Sequence, residues 1–159
     1  MSVIEPELIA PFAAAVREVF QTMVGVETIV GRPYRKAPAT LTPTHGVCGI
    51  IGFHGQISGS VVVSFPDAVA ERLASAFVGT ELKRTETDFA DAIGELANMI
   101  AGCAKGKVGT VASISTPSVI LGGYTVAQTS GAPCIVIPCT CVHGEFTIEV
   151  SIKAQQQAA

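Results

Sequence analysis

The fold is decided by residues 46–65, which read GVCGIIGFHGQISGSVVVSF. Two β-rich runs, Gly46 to Phe53 and Ile57 to Phe65, flank His54-Gly55-Gln56, whose composition is typical of a hairpin turn. Glycines interrupt the bulky side chains of both runs, which indicates bulges or a close neighbour. The stretch therefore predicts a long β-hairpin that either contains bulges or is approached closely by another part of the molecule.

Three helices and four more strands are predicted around this hairpin. Apolar residues at helical spacing predict helices at 11–24, 66–78 and 87–105, and β-rich runs predict strands at 26–30, 113–121, 133–142 and 146–152. Ser64 is the expected N-cap of the second helix. We therefore expect an α+β fold, with three helices packed on a mixed, mostly antiparallel sheet of about six strands.

Length and composition fit one domain. The chain has 159 residues, of which 48% are hydrophobic and only 14% are charged, so little of it is left for a solvated, disordered region. We expect a single domain over residues 1–154 and a disordered C-terminal tail over residues 155–159.

Charge and targeting signals argue against several classes of function. The formal net charge is −3 and the ten lysines and arginines are scattered, which leaves no basic patch for nucleic acid. Glu5 and Glu7 stand where a signal peptide needs basic residues, and no apolar run reaches the roughly 18 residues of a membrane span. A cytoplasmic protein that binds neither nucleic acid nor membrane is expected.

Cysteine and histidine patterns give no sign of a metal or redox centre. The five cysteines lack the two-residue spacing of zinc and thioredoxin-type motifs, so we interpret them as packing residues. His45, His54 and His143 each precede a glycine and are interpreted as turn residues. No metal ligands are therefore predicted.

The third helix carries the candidate site. Five of its residues fall on one narrow face and are expected to point to the core: Phe89, Ile93, Leu96, Ile100 and Cys103. Four others repeat the same spacing half a turn away and are expected to face solvent: Asp91, Glu95, Asn98 and Gly102.

The positions beside the polar stripe are unusually small. Ala90, Gly94, Ala97 and Ala101 occupy places where an exposed helix usually carries long charged side chains, and glycine in a helix costs up to about 1 kcal/mol relative to alanine. A polar stripe alone is ordinary, but these small residues predict a face that another protein approaches closely.

The run over residues 91–102, DAIGELANMIAG, resembles the signature of the CheC/CheX/FliY family of chemotaxis phosphatases, and the CheX branch most closely. In that signature an acid or serine precedes a glutamate by four residues and an asparagine follows it by three, as Asp91, Glu95 and Asn98 do here. The signature also contains a downstream proline, which Pro117 matches. The likeness extends to the first helix and both hairpins.

The resemblance implies a phosphatase that removes the phosphoryl group from the aspartate of a CheY-type response regulator. It implies that Asn98 orients the attacking water and that Glu95 pairs with the regulator's active-site lysine. Asp91, Gly94, Gly102 and Pro117 become supporting or partner-binding residues. The Mg²⁺ is expected to come from the regulator, and no cofactor of the chain's own is expected.

An ungapped internal alignment predicts a second, degenerate site. When residues 11–25 are laid on residues 88–102, Glu18 and Gln21 fall where Glu95 and Asn98 stand. The alignment predicts a pseudo-two-fold duplication, although two amphipathic helices can match by shared patterning alone. Arg17 and Phe20 replace the small residues, so the approach to this second site is expected to be crowded.

Two other functions are left open. The chain is also consistent with a non-catalytic binding module that docks a response regulator or a CheD-like partner, and, less well, with a structural piece of the flagellar switch as in FliY. A homodimer is expected from the CheX branch, with the cysteine-rich hairpin as a candidate sheet edge for pairing.

Overall fold

The first and third helices pack side by side over the sheet, and the second helix packs against the third helix and the end of the first. The computed structural model describes residues 6–36, 45–109, 111–122 and 132–154. The helices are α1 (Pro6–Val19), which continues as a π-helical turn over Phe20–Val24, α2 (Asp67–Val78) and α3 (Thr87–Val108). The strands are β1 (Ile29–Val30), β2 (Tyr34–Arg35), β3 (Val47–Gly55), β4 (Ile57–Phe65), β5 (Ala112–Ile114), β6 (Ser118–Leu121), β7 (Ile135–Cys141) and β8 (Gly144–Ala154).

The predicted α+β class is confirmed, with differences in strand number and direction. Within the described ranges the sheet has eight strands rather than about six, in the order β1-β7-β8-β4-β3-β5, with β2 also paired with β7 and β6 also paired with β3. Every pairing among the described residues is antiparallel, so the mixed component of the prediction is wrong there. The tail over residues 155–159, expected to be disordered, lies outside the described residues.

The strand expected over residues 113–121 is divided by a β-bulge. Phe53 of β3 opposes Ile114, and Ile50 opposes Ser118, so two residues of β3 face three residues of the other strand. The extra residue lies in the segment 115–117, which ends in Pro117, and proline has no N–H to give to the ladder. The bulge therefore separates β5 from β6.

The sheet is symmetric about the boundary between β4 and β8, as a duplication predicts. In each half, two short strands leave their own helix and pair with the first hairpin strand of the other half: β1 and β2 with β7, and β5 and β6 with β3. Even the bulge is repeated, because residues 31–33 between β1 and β2 oppose two residues of β7 and also end in a proline, Pro33. Topology thus supports the internal repeat more strongly than helix patterning does.

The anchors of α2 differ from those predicted. Ser64 is not its N-cap, because Ser64 is buried at the end of β4, where its hydroxyl accepts a hydrogen bond from the His45 N–H at 2.9 Å. Pro66 takes the N-cap position. Arg72 donates from Nε at 3.1 Å and from Nη2 at 2.7 Å to the carbonyl of His143, which holds the β7–β8 turn against α2.

The core lies between the helices and one side of the sheet. Phe20 at the end of α1 stacks on Phe146 of β8 with ring centroids 4.9 Å apart, and Phe65 of β4 packs on the same ring at 5.3 Å. Phe12 of α1 meets Phe53 of β3 edge-on at 5.7 Å. These aromatic contacts fix both halves of the sheet to the first helix.

Close packing between α3 and β3 sets the position of the candidate site. A Cβ atom at Gly49 of β3 would lie 2.8 Å from the Cβ of Ala97 and 3.6 Å from the carbonyl oxygen of Ile93. The helix therefore rests almost directly on the strand backbone, and only glycine fits beneath it. The close neighbour that the hairpin glycines predicted is α3.

We expect Gly49→Ala to lower the free energy of unfolding by about 1–3 kcal/mol, because the added methyl group forces α3 away from β3. Urea denaturation would measure the change. Gly106→Ala is the control, since a Cβ at this exposed position near the end of α3 would meet no atom within 4 Å; it should raise stability by up to about 1 kcal/mol. Equal stability of the two variants would contradict the close packing.

Candidate functional site

The polar stripe of α3 faces solvent as the spacing predicts. Asp91, Glu95 and Gly102 are exposed and Asn98 is half-buried. Glu95 and Asn98 lie one turn apart on the same face of a continuous α-helix, so a carboxylate and an amide project in one direction. The opposite face is buried, with Phe89, Ile93, Leu96 and Ile100 all fully enclosed.

The small residues beside the stripe face inward rather than toward a partner. Gly94, Ala97 and Ala101 are buried, so the prediction of an exposed small-residue face is wrong at these positions. Ala97 rests on Gly49 of β3, and Gly94 lies under β6. Their small size lets α3 approach its own sheet. Gly102 of the polar stripe is exposed, and a Cβ atom there would meet no atom within 4 Å.

Pro117 packs on α3 at Gly94, the residue before Glu95. A Cβ atom at Gly94, the residue before Glu95, would lie 3.4 Å from Pro117 Cγ and 3.3 Å from Val119 Cγ2. The bulge between β5 and β6 thus leans on α3 at the level of the site. Gly94, predicted as a supporting or partner-binding residue, is the place where Pro117 packs on the helix.

Glu95, Asn98 and Asp91 have no internal partner within the described part of the chain. No hydrogen bond or ion pair there engages any of the three side chains, although all of them can form such bonds. An amide can both accept and donate to a water molecule, and a carboxylate can bind a cationic side chain. The site is therefore suited to groups supplied by a partner.

Glu18, the counterpart of Glu95, is already engaged. Its Oε2 atom is 2.9 Å from Nζ of Lys107 and 3.4 Å from Sγ of Cys103, both in α3. The hydrogen bond from Lys107, followed by that from the Cys103 thiol, holds the pKa of the Glu18 carboxyl below its usual range. The same bond raises the pKa of Lys107.

Gln21, the counterpart of Asn98, lies on the π-helical turn over Phe20–Val24. The angle about the helix axis between Glu18 and Gln21 therefore differs from the angle between two residues three apart on an α-helix. Phe20 is fully buried and does not crowd the surface, so that part of the prediction is wrong. The first helix ends at Gly25 in a left-handed conformation (φ 80°), whereas its counterpart Gly102 lies within α3.

The cysteines behave as packing residues. Burial raises the pKa of Cys139 to about 12 and also raises that of Cys134. Burial, followed by the hydrogen bond to Glu18, raises the pKa of Cys103, so its thiol is kept protonated at neutral pH. In the ranges that the structure describes, no three His, Cys, Asp or Glu side chains come together as metal ligands. None of the described helices is long and apolar enough to cross a membrane.

Sequence reasoning missed two residues of this region. The Ser115 hydroxyl accepts a hydrogen bond from the Gly52 N–H of β3, and Lys107 forms an ion pair with Glu18. The serine stands two residues before a proline within a strand pattern, which is a signal for a bulge. No sequence signal identifies Lys107, because its contact crosses between helices.

A family model described as chemotaxis phosphatase CheX matches residues 47–140, from β3 through α3 into β7. A relative from Thermotoga maritima, named CheY-P phosphatase CheX, is 26% identical over 155 residues, which cover 94% of this chain and 98% of the relative. The crystal structure of a chemotaxis protein CheX from Desulfovibrio desulfuricans is 33% identical, has a TM-score of 0.81, and aligns over 94% of this chain and 99% of its own.

A more distant structure is a CheX–CheY–BeF3–Mg²⁺ complex from Borrelia burgdorferi. Its CheX-like chain is 24% identical with a TM-score of 0.76, and the alignment covers 92% of this chain and 97% of that one. This likeness concerns the fold. Together the matches confirm the family that residues 91–102 predict.

We expect Lys107→Met to raise the pKa of the Glu18 carboxyl toward its ordinary value, as an NMR titration of the side-chain carboxyl carbon would show. Because the folded-state pKa is depressed, the ion pair stabilises the fold above the unfolded-state pKa, and this contribution is lost as the pH falls through the folded-state pKa. Lys105→Met removes a neighbouring charge and is the control. An identical Glu18 titration in both variants would contradict the pairing.

Proposed function

Since this chain belongs to the CheX family of chemotaxis phosphatases, we propose that it accelerates hydrolysis of the aspartyl phosphate on a CheY-type response regulator. The observation that carries the proposal is the exposed pair of Glu95 and Asn98, one helical turn apart and without partners in the described structure. The Thermotoga maritima relative, similar over nearly its whole length, is named for the same activity.

Asn98 is the proposed catalytic residue. Hydrolysis of a phosphoryl group depends on positioning and charge stabilisation more than on covalent chemistry, so the group most needed is one that holds water in line with the phosphorus. The carboxamide can accept one hydrogen bond from that water and donate another to the phosphoryl group or its surroundings without any change of protonation. Half-burial against the helix surface restricts its rotamers.

Glu95 is the proposed docking residue. Its carboxylate is free for the active-site lysine of the regulator, and an ion pair there fixes the regulator so that the phosphoryl group faces Asn98. The Mg²⁺ belongs to the regulator in this proposal, as the composition of the Borrelia burgdorferi complex suggests. Asp91 and Gly102 extend the same exposed stripe on either side and are proposed contacts.

The first helix is proposed to lack a working site. Glu18 is held by Lys107 and Cys103, and Gln21 lies on a π-helical turn, so the two side chains do not reproduce the geometry of Glu95 and Asn98. A homodimer, a CheD-like partner and a cytoplasmic location remain predictions from the sequence.

We expect Asn98→Ala to reduce the acceleration of regulator dephosphorylation by at least about 100-fold, because the water loses its orienting group. The measurement is the decay of the phosphorylated regulator, with each CheY-like protein of the host, at increasing concentrations of this protein. Affinity for the regulator should change little, since Glu95 remains. Gln21→Ala is the matched control and should keep full activity.

Two outcomes would contradict the proposal. Acceleration that survives Asn98→Ala and disappears only with Gln21→Ala would place the working site on the first helix. Binding of a regulator without acceleration in the wild-type protein would favour the non-catalytic binding module.

A further inference from the structure

The bulge beside the site is held by the side chain of Ser115. Its hydroxyl oxygen accepts a hydrogen bond from the Gly52 N–H at 2.8 Å and donates to the Thr116 carbonyl at 3.0 Å. The Ser115 N–H in turn donates to the Gly52 carbonyl at 2.9 Å. At the bulge between β5 and β6, the Gly52 N–H of β3 therefore donates to a serine hydroxyl rather than to the backbone carbonyl that a regular ladder would supply.

Ser115 packs directly beside Gly52. A Cβ atom at Gly52 would lie 3.4 Å from Ser115 Oγ, an ordinary van der Waals contact, so the serine side chain lies against this part of β3. Beyond Ser115, Thr116 and Ser118 are exposed and Pro117 packs above Gly94. Residues 115–118 thus form a ridge that runs beside the exposed face of α3.

The corresponding bulge in the other half has no side-chain hydrogen bond of this kind. There Gly31 occupies the position that corresponds to Ser115, and its N–H donates to the carbonyl of Pro138 at 2.8 Å. This bond corresponds to the backbone bond from Ser115 to Gly52. Gly31 has no hydroxyl, and Pro138, in the place of Gly52, has no N–H to donate. The side-chain hydrogen bond is therefore confined to the half of the molecule whose helix carries Glu95 and Asn98.

We infer that Ser115 is a positioning residue, which fixes the ridge over residues 115–118 beside α3. The ridge and the exposed face of α3 together form the surface that receives the phosphorylated regulator. This inference rests on the proposed function. The backbone bond alone builds the bulge, as the first half shows, so the added hydroxyl is not needed for the fold. Its effect is to hold Pro117 against Gly94, the residue before Glu95, and so to fix the exposed residues Thr116 and Ser118 on either side of Pro117.

The test compares Ser115→Ala with Ser115→Thr, which keeps the hydroxyl, and with Ser113→Ala, which removes an exposed hydroxyl from neighbouring β5. Each variant is titrated with the regulator in its beryllofluoride form, and its turnover of the phosphorylated regulator is measured. For Ser115→Ala we expect the Kd and the KM to rise about threefold to tenfold, the effect of one lost hydrogen bond, with kcat within twofold. Ser115→Thr should restore both constants, and Ser113→Ala should leave them unchanged.

Amide hydrogen exchange supplies a readout that does not depend on the regulator. Exchange at the Gly52 N–H should be faster in Ser115→Ala than in the wild type and in Ser115→Thr. If wild-type protein neither binds nor dephosphorylates any regulator, the proposed function fails and this inference fails with it. Two results would overturn the inference alone, with a wild-type protein that binds and dephosphorylates the regulator. One is a folded Ser115→Ala variant with the Kd and KM of the wild type. The other is a Ser115→Thr variant whose Kd and KM are raised as much as those of Ser115→Ala.

Discussion

The contact between Ala97 of α3 and Gly49 of β3 is the constraint on which the rest of the structure depends. A helix that lies this close to a strand needs a small residue at the point of contact, which Ala97 provides, and Gly94 meets the same need where Pro117 and Val119 pack on α3. Their burial fixes the rotation of α3 about its own axis. Because that rotation is fixed, Glu95 is turned outward along the helix.

Much of the architecture was predictable from periodicity. The 3.6-residue pattern of α3 and the long hairpin of β3 and β4 are strong signals, because the helix repeats its apolar spacing over many residues and the hairpin joins two runs rich in valine and isoleucine through a short glycine-containing turn. The meaning of the small residues in α3 was not predictable in the same way. Gly94 signals that something comes close, but the sequence does not say whether that neighbour is a partner or the chain itself.

Other differences from the sequence prediction have local causes. Ser64 has the chemistry of an N-cap, yet strand β4 continues through it and its hydroxyl accepts a hydrogen bond from the His45 N–H instead. The strand over residues 113–121 has a continuous β pattern, and it is divided because its segment 115–117 has one residue more than the part of β3 that it opposes, a pairing between stretches distant in sequence. The Glu18–Lys107 pair is likewise a contact between helices, beyond the reach of any local pattern.

The exchange of short strands between the two halves has a consequence for the origin of the fold. β1 and β2 complete the hairpin of the second half, and β5 and β6 complete that of the first, so neither half closes its own sheet edge. A half-length ancestor could have buried those edges only by trading strands with a second copy. The present chain therefore has the form of a strand-swapped dimer whose two halves are joined in one polypeptide. Such a chain is free to specialise one helix while the other helix keeps the sheet together.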